Sequence, residues 1–95
     1  MNLEQLHPTE KEVSAQKLFS GEVGSATSIQ LQDGGKLKEH LTKTPALLIC
    51  ISGLVRYEDE TKKEIDLEPN DYIQIEPNVK HWLIASEKSQ LILLK

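Results

Sequence analysis

Cysteine is nearly missing from this sequence: Cys50 stands alone. An internal disulfide and a cysteine-built zinc cage are thereby excluded, since both need a pair of thiolates from one chain. Also missing is any apolar run approaching the ~20 residues of a membrane span. The N-terminal stretch from Met1 to Pro8 carries neither a basic segment nor an apolar core. A cytoplasmic protein with no membrane partner is the expectation. Basic excess is absent as well, with 11 Lys and Arg against 15 Asp and Glu, and the lysines are scattered among acids. That disposition argues against nucleic acid as a partner. Aromatic residues are scarce, with one Phe and one Trp in 95 residues. A single small domain with so little bulk in its core has modest stability of its own, and a homodimer is expected to relieve this.

What the chain does have is strand periodicity. Residues 1 to 9 are polar and unpatterned, and Pro8 to Glu12 suits one helical turn with Thr9 as its cap. His7, beside a proline in this arm, is expected to be solvated. From Val13 to Phe19 the apolar residues Val13, Leu18 and Phe19 fit neither a clean helix nor a clean strand, and because every later segment is β the stretch is read as a strand ending at Ser20-Gly21. From Ser25 to Gln32 the residues alternate, with Thr27, Ile29 and Leu31 on one face and Ala26, Ser28 and Gln30 on the other. Asp33-Gly34-Gly35 turns the chain. Ala46 to Ile51 is apolar at both parities, Leu47, Ile49 and Ile51 opposing Ala46, Leu48 and Cys50, which places the strand inside the domain. Gly53 breaks it. Further strands follow at Leu54 to Glu58, Glu64 to Leu67, Asp71 to Glu76, Val79 to Ala85 and Gln90 to Leu94. Seven to nine short strands at about ten-residue spacing, with turn residues between them, indicate an all-β antiparallel barrel or sandwich. Residues 1–20 form an arm and first strand, and 21–95 the barrel.

Two stretches echo each other, Gly34 to Gly53 and Pro69 to Trp82, and each delivers one histidine. The spacing Gly34, His40, Thr42, Ala46, Gly53 resembles the first motif of the cupins, Gly-x5-His-x-His-x3,4-Glu-x6-Gly. Both glycines and the first His match, while Thr42 stands in place of the second His and Ala46 in place of the Glu. The second motif, Gly-x5-Pro-x-Gly-x2-His-x3-Asn, is matched at His81. Asn70 and Asn78 occupy its glycine places, Pro77 lies one residue past the usual Pro, and Ala85 replaces the final Asn. Asn is the residue that best tolerates positive φ after Gly. The chain is thus similar to a small single-domain protein of the RmlC-like cupin superfamily with a degenerate metal motif.

The resemblance implies an antiparallel double-stranded β-helix, or jelly-roll barrel. It also implies homodimers and a pocket inside the barrel, here lined by His40, Thr42, Ala46, Leu48, Cys50, His81 and Leu83. Metal-binding cupins hold Fe, Mn, Ni or Zn with three His and one Glu, and only His40 and His81 remain of that set. No cofactor is expected, beyond a weakly held divalent transition metal on those two imidazoles. Gln30, Glu39 and Glu76 are the carboxylates and amide within reach in sequence, with Glu39 on the wrong face. Cys50 reads as an inert small hydrophobe, since no base neighbours it. Trp82 alternates against His81 and points away from the pocket, into a neighbouring strand or an interface. Three functions follow. One is a cupin that binds an unidentified small molecule through His40, Thr42 and His81. Another is a metal-dependent or His-based enzyme, a dioxygenase or isomerase. The last is a structural homodimer with a vestigial pocket.

Overall fold

A computed structural model describes all residues from Met1 to Lys95. Nine strands follow a short 3-10 turn at Leu3–Leu6: β1 (Val13–Ser20), β2 (Ser25–Leu31), β3 (Lys36–His40), β4 (Ala46–Ser52), β5 (Val55–Asp59), β6 (Glu64–Leu67), β7 (Tyr72–Ile75), β8 (His81–Ala85) and β9 (Ser89–Leu94). They form two antiparallel sheets, one of five strands in the order β1-β2-β9-β4-β7 and one of four in the order β3-β8-β5-β6. After β2 the chain passes from sheet to sheet at nearly every turn, which is the jelly-roll path. No helix is long and apolar enough to cross a membrane.

The passages between sheets need left-handed backbone, and the turn residues provide it. Gly34 and Gly53 have φ of 78° and 90°, and Asn70 and Asn78 have φ of 79° and 64°. The asparagines standing at motif glycines therefore do the backbone work of glycine. Gly53 has a second constraint, because a Cβ there would run into Ser89 Oγ and the Lys88 carbonyl.

Between the sheets lies the core. Ile29, Leu31, Leu48, Cys50, Ile73, Ile75 and Leu91 from the five-stranded sheet meet Val55, Tyr57, Leu67, Leu83 and Ala85 from the other strands. These are the inward parities of their strands, so period-two alternation and burial coincide.

The other face of the five-stranded sheet is divided. Its polar end is covered by the N-terminal arm: His7 is buried, its Nδ1 2.8 Å from Ser14 Oγ and its Nε2 2.9 Å from Ser28 Oγ. Beside it Gln30 Nε2 donates to the Pro8 carbonyl, and Gln90 Nε2 donates to Gln30 Oε1 at 2.7 Å. The expectation of a solvated His7 is thus overturned, because two serines across β1 and β2 supply a hydrogen-bond partner to each ring nitrogen. The helical turn also moves, to Leu3–Leu6, where Asn2 Oδ1 accepts from the Glu4 amide. Over the rest of this face nothing of the chain lies. Phe19, Tyr72, Ile51 and Leu94 are 64%, 65%, 42% and 37% exposed. The outward parity of β4 is accordingly not interior, although it reads as apolar as the inward one.

Candidate functional site

One end of the barrel gathers the strand ends nearest both histidines. His40 closes β3 and His81 opens β8, and the two are partners in the ladder. Their rings meet edge to face with centroids 4.3 Å apart and planes at 60°. His81 is buried and His40 half-buried.

Each imidazole is aimed by the backbone two residues before it. His40 Nδ1 lies 2.9 Å from the Lys38 carbonyl and His81 Nδ1 lies 3.1 Å from that of Val79. A carbonyl only accepts, so each ring carries a proton on Nδ1, and the neutral form of such a ring leaves Nε2 as a bare acceptor. Burial, with His40 and Lys95 adding to it, holds the protonation of His81 below the ordinary histidine range against the opposing pull of Val79 O and Asp59.

The wall behind His81 is Tyr57, stacked on it with centroids 5.9 Å apart and planes 22° apart. Tyr57 Oη donates to Asp59 Oδ2 at 2.9 Å. Asp59 Oδ1 accepts from the Thr61 amide, the Thr61 hydroxyl and the Lys63 amide. Burial would raise the Asp59 carboxyl, but those hydrogen bonds outweigh it and hold it ionised below its ordinary range. Burial and the neighbouring carboxylate push the Tyr57 phenol upward. Neither Tyr57 nor Asp59 is marked by any sequence motif. The signal that finds them is the ladder itself, where Asp59 pairs with His81 and Tyr57 with Leu83.

Three loops around this end are sewn together. The Asn78 amide donates to the Thr42 carbonyl at 2.7 Å, the Glu60 amide to the Lys80 carbonyl at 2.9 Å, and the Lys80 amide to Glu60 Oε2 at 2.6 Å. Thr42 lies beyond the end of β3, buried, with its hydroxyl donating to the Thr44 carbonyl at 2.8 Å. Ala46 begins β4 and Leu48 and Cys50 follow it inward. Leu48, Cys50 and Leu83 are 1%, 0% and 2% exposed, members of the closed core. Burial and the charge of Asp71 raise the Cys50 thiol, whose Sγ donates to the Ser52 carbonyl. Gln30 is spent on the outer face, and Glu39 is exposed on β3, where a register shift between Leu37 and His40 breaks the alternation and lets His40 pair with His81. Trp82 is half-buried on the outside of the four-stranded sheet, donating to Glu58 Oε1 at 2.8 Å.

A groove of about 950 Å³ opens elsewhere. It runs along the uncovered outer face between Phe19, Ala26, Leu47 and Leu94 and reaches the loops at Pro45 and Pro77; neither histidine lines it.

The residues at the mouth do not fit the three-His, one-Glu shell of metal-binding cupins. No cluster of three or more His, Cys, Asp or Glu side chains is arranged to hold a metal. The hydroxyl at the place of the second His is turned to its own loop. The carboxylate opposite His81 has both oxygens committed to four donors. What remains is a pair of imidazole acceptors on a rigid rim.

Comparisons with known proteins bear on the fold. The structure is similar to that of a cupin superfamily protein from Desulfitobacterium hafniense, with a TM-score of 0.86 at 15% identity over 98% of this chain and 84% of that one. It is similar also to a conserved protein of unknown function from Streptococcus pyogenes, with a TM-score of 0.83 at 19% identity over 99% and 82%. KdgF from Halomonas sp. superposes with a TM-score of 0.80 at 18% identity over 93% and 82%. No curated protein sequence matches the chain. The family model for the cupin domain matches residues 27–94, and with both motif stretches inside that span the chain belongs to the cupin family.

Proposed function

We propose that this protein binds a small molecule at the barrel mouth, with the Nε2 atoms of His40 and His81 accepting hydrogen bonds from hydroxyl groups of the ligand. The observation that carries the reading is the commitment of both Nδ1 atoms to backbone carbonyls. Two bare acceptors side by side favour a donor-bearing ligand such as a polyol, and Tyr57 behind them gives the ligand a firm wall. The test is long-range 1H–15N correlation of the imidazoles, with sorbitol as probe. The Nδ1–H tautomer at both residues, and perturbation of both by sorbitol, are the expected results. An Nε2–H tautomer at either residue would remove the acceptor pair and the reading with it. One equivalent of Zn or Ni retained on purification, and lost in both His40→Ala and His81→Ala, would promote the metal-dependent alternative instead.

The protein also works, in this reading, as a homodimer joined through the outer face of the five-stranded sheet. Its accessible surface is 6097 Å², whereas a folded monomer of this mass shows about 5500 Å². The excess is comparable with the ~800 Å² each partner buries in a standard interface. Phe19, Tyr72, Ile51 and Leu94 supply the apolar centre, and β1 offers an unpaired edge on which antiparallel pairing is self-complementary. Trp82 lies on the other sheet, outside this interface.

A further inference from the structure

The charges of this protein are sorted along the barrel axis. The loops at the histidine end, with Lys95, carry five lysines (Lys43, Lys62, Lys63, Lys80 and Lys95) against three glutamates (Glu22, Glu60 and Glu76). At the far end, including the arm, the balance is reversed: Lys11 and Lys88 face seven carboxylates, those of Glu4, Glu10, Glu12, Asp33, Glu68, Asp71 and Glu87. The strands between contribute nearly equal numbers of each sign. A chain of net charge −4 thus repels anions over most of its surface and attracts them at one end. Of the three glutamates there, Glu60 already has an oxygen accepting from the Lys80 amide.

We infer that the ligand of the mouth is a small hydroxy acid: its hydroxyl donates to the imidazole Nε2 atoms and its carboxylate is met by the lysines of the surrounding loops. The inference rests on the donor reading of the histidine pair and adds to it the charge of the ligand. Three features join the two halves. Lys80 immediately precedes His81, and its backbone is fixed from both sides by Glu60. Lys43 follows Thr42, whose carbonyl is tied to Asn78. Lys95 is near enough to His81 to oppose its protonation. The ammonium groups therefore ride on loops whose backbones do not have to reorganise to receive an anion. Asp59, the carboxylate paired with His81, has both oxygens occupied by donors of its own chain, so its repulsion of a carboxylate is blunted. The sorted field also steers an anion to this end from solution, an effect that salt screens.

The experiment compares gluconate with sorbitol, which has the same carbon chain and no charge, and with butyrate, which has the charge and no hydroxyl. Binding is read by imidazole 15N shifts of His40 and His81 and by thermal shift at low ionic strength. Gluconate is expected to bind about tenfold more tightly than sorbitol, with the advantage lost on adding salt. In Lys43→Gln/Lys80→Gln/Lys95→Gln gluconate should fall to the level of sorbitol while sorbitol is unaffected. These lysines are exposed, so the variant folds. Equal binding of sorbitol and gluconate would overturn the inference and leave the donor reading standing. Butyrate binding as tightly as gluconate would overturn the hydroxyl half and leave the charge half. Silence of both histidine signals towards gluconate and sorbitol alike would remove the donor reading and, with it, the inference.

Discussion

Tyr57 lies flat against His81, 5.9 Å between centroids, and its hydroxyl is anchored 2.9 Å from Asp59 Oδ2. Because Asp59 is also the residue paired with His81 across the β5–β8 ladder, one side chain ties the histidine's aromatic neighbour to the turn that follows β5. Tyr57→Phe keeps the ring and strips the anchor, so a loss of about 1 kcal/mol is expected. Asp59→Ala strands the buried phenol and releases the Thr61 and Lys63 amides, and should cost about 3 kcal/mol or more. Urea denaturation measures both. Equal costs would show that the Tyr57 bond carries the whole effect and the turn contacts none.

Gly53 and Gly34 both have positive φ, yet they are not equivalent. A methyl group at Gly53 meets Ser89 and the Lys88 carbonyl, whereas at Gly34 nothing lies within 4 Å. Gly34→Ala should cost about 1 kcal/mol for its backbone alone. Gly53→Ala adds overpacking against backbone, and a loss of more than about 3 kcal/mol is expected. Thermal melts of the two variants side by side give the comparison, and a Gly34 variant as damaged as the Gly53 one would contradict the contact argument.

Acid should weaken the fold through its buried histidines. Burial lowers the folded-state pKa of His7 and of His81 from the ordinary 6.5. On acidification the unfolded chain therefore takes up protons first; stability is full above about 6.5 and declines as pH falls through it, levelling once the depressed folded values are passed. Asp59 acts lower, since its carboxyl is depressed from 3.8 and its contribution is lost only below that range. The denaturation midpoint should drop between pH about 7 and about 5.5, and the slope should be shallower in His7→Gln. A midpoint rising with acid in this window would contradict the sign.

The arm is held by polar bonds and no deeply buried apolar side chain, which makes its attachment depend on His7. His7→Ala is expected to free residues 1 to 12 for proteolysis and to cost about 1 to 2 kcal/mol through the orphaned serines. Amide exchange in β4 and β7, remote from the arm's bonds, should be slowed or hastened by global stability alone. Selective protection of the arm in the variant would show that something other than His7 holds it.

Legibility differed from one part of the molecule to another. Period-two alternation located the strands, since inward and outward parities of β2, β4, β8 and β9 meet different surroundings. Asn70 and Asn78 marked left-handed turns because few residues other than Gly accept positive φ. The outer face of β4 misled for a physical reason: apolar residues on both parities fit a strand covered twice and a strand with one face left uncovered equally well. His7 was hidden because its partners, Ser14 and Ser28, are joined to it only by strand register. Of the site, His40 and His81 were visible from motif spacing. Tyr57 and Asp59 became visible only when the ladder brought β5 beside β8, a relation no local pattern encodes.

Both histidines take their aim from main-chain carbonyls, not from side chains. The Lys38 and Val79 side chains can then be exchanged, by mutation over generations or by an engineer, without turning either ring. Side chains on the neighbouring loops have the same freedom wherever the stitching is main chain to main chain, as between Thr42 and Asn78. Such a rim is a permissive place for new specificities to arise, because variation in what surrounds the two acceptors is separated from variation in where they point.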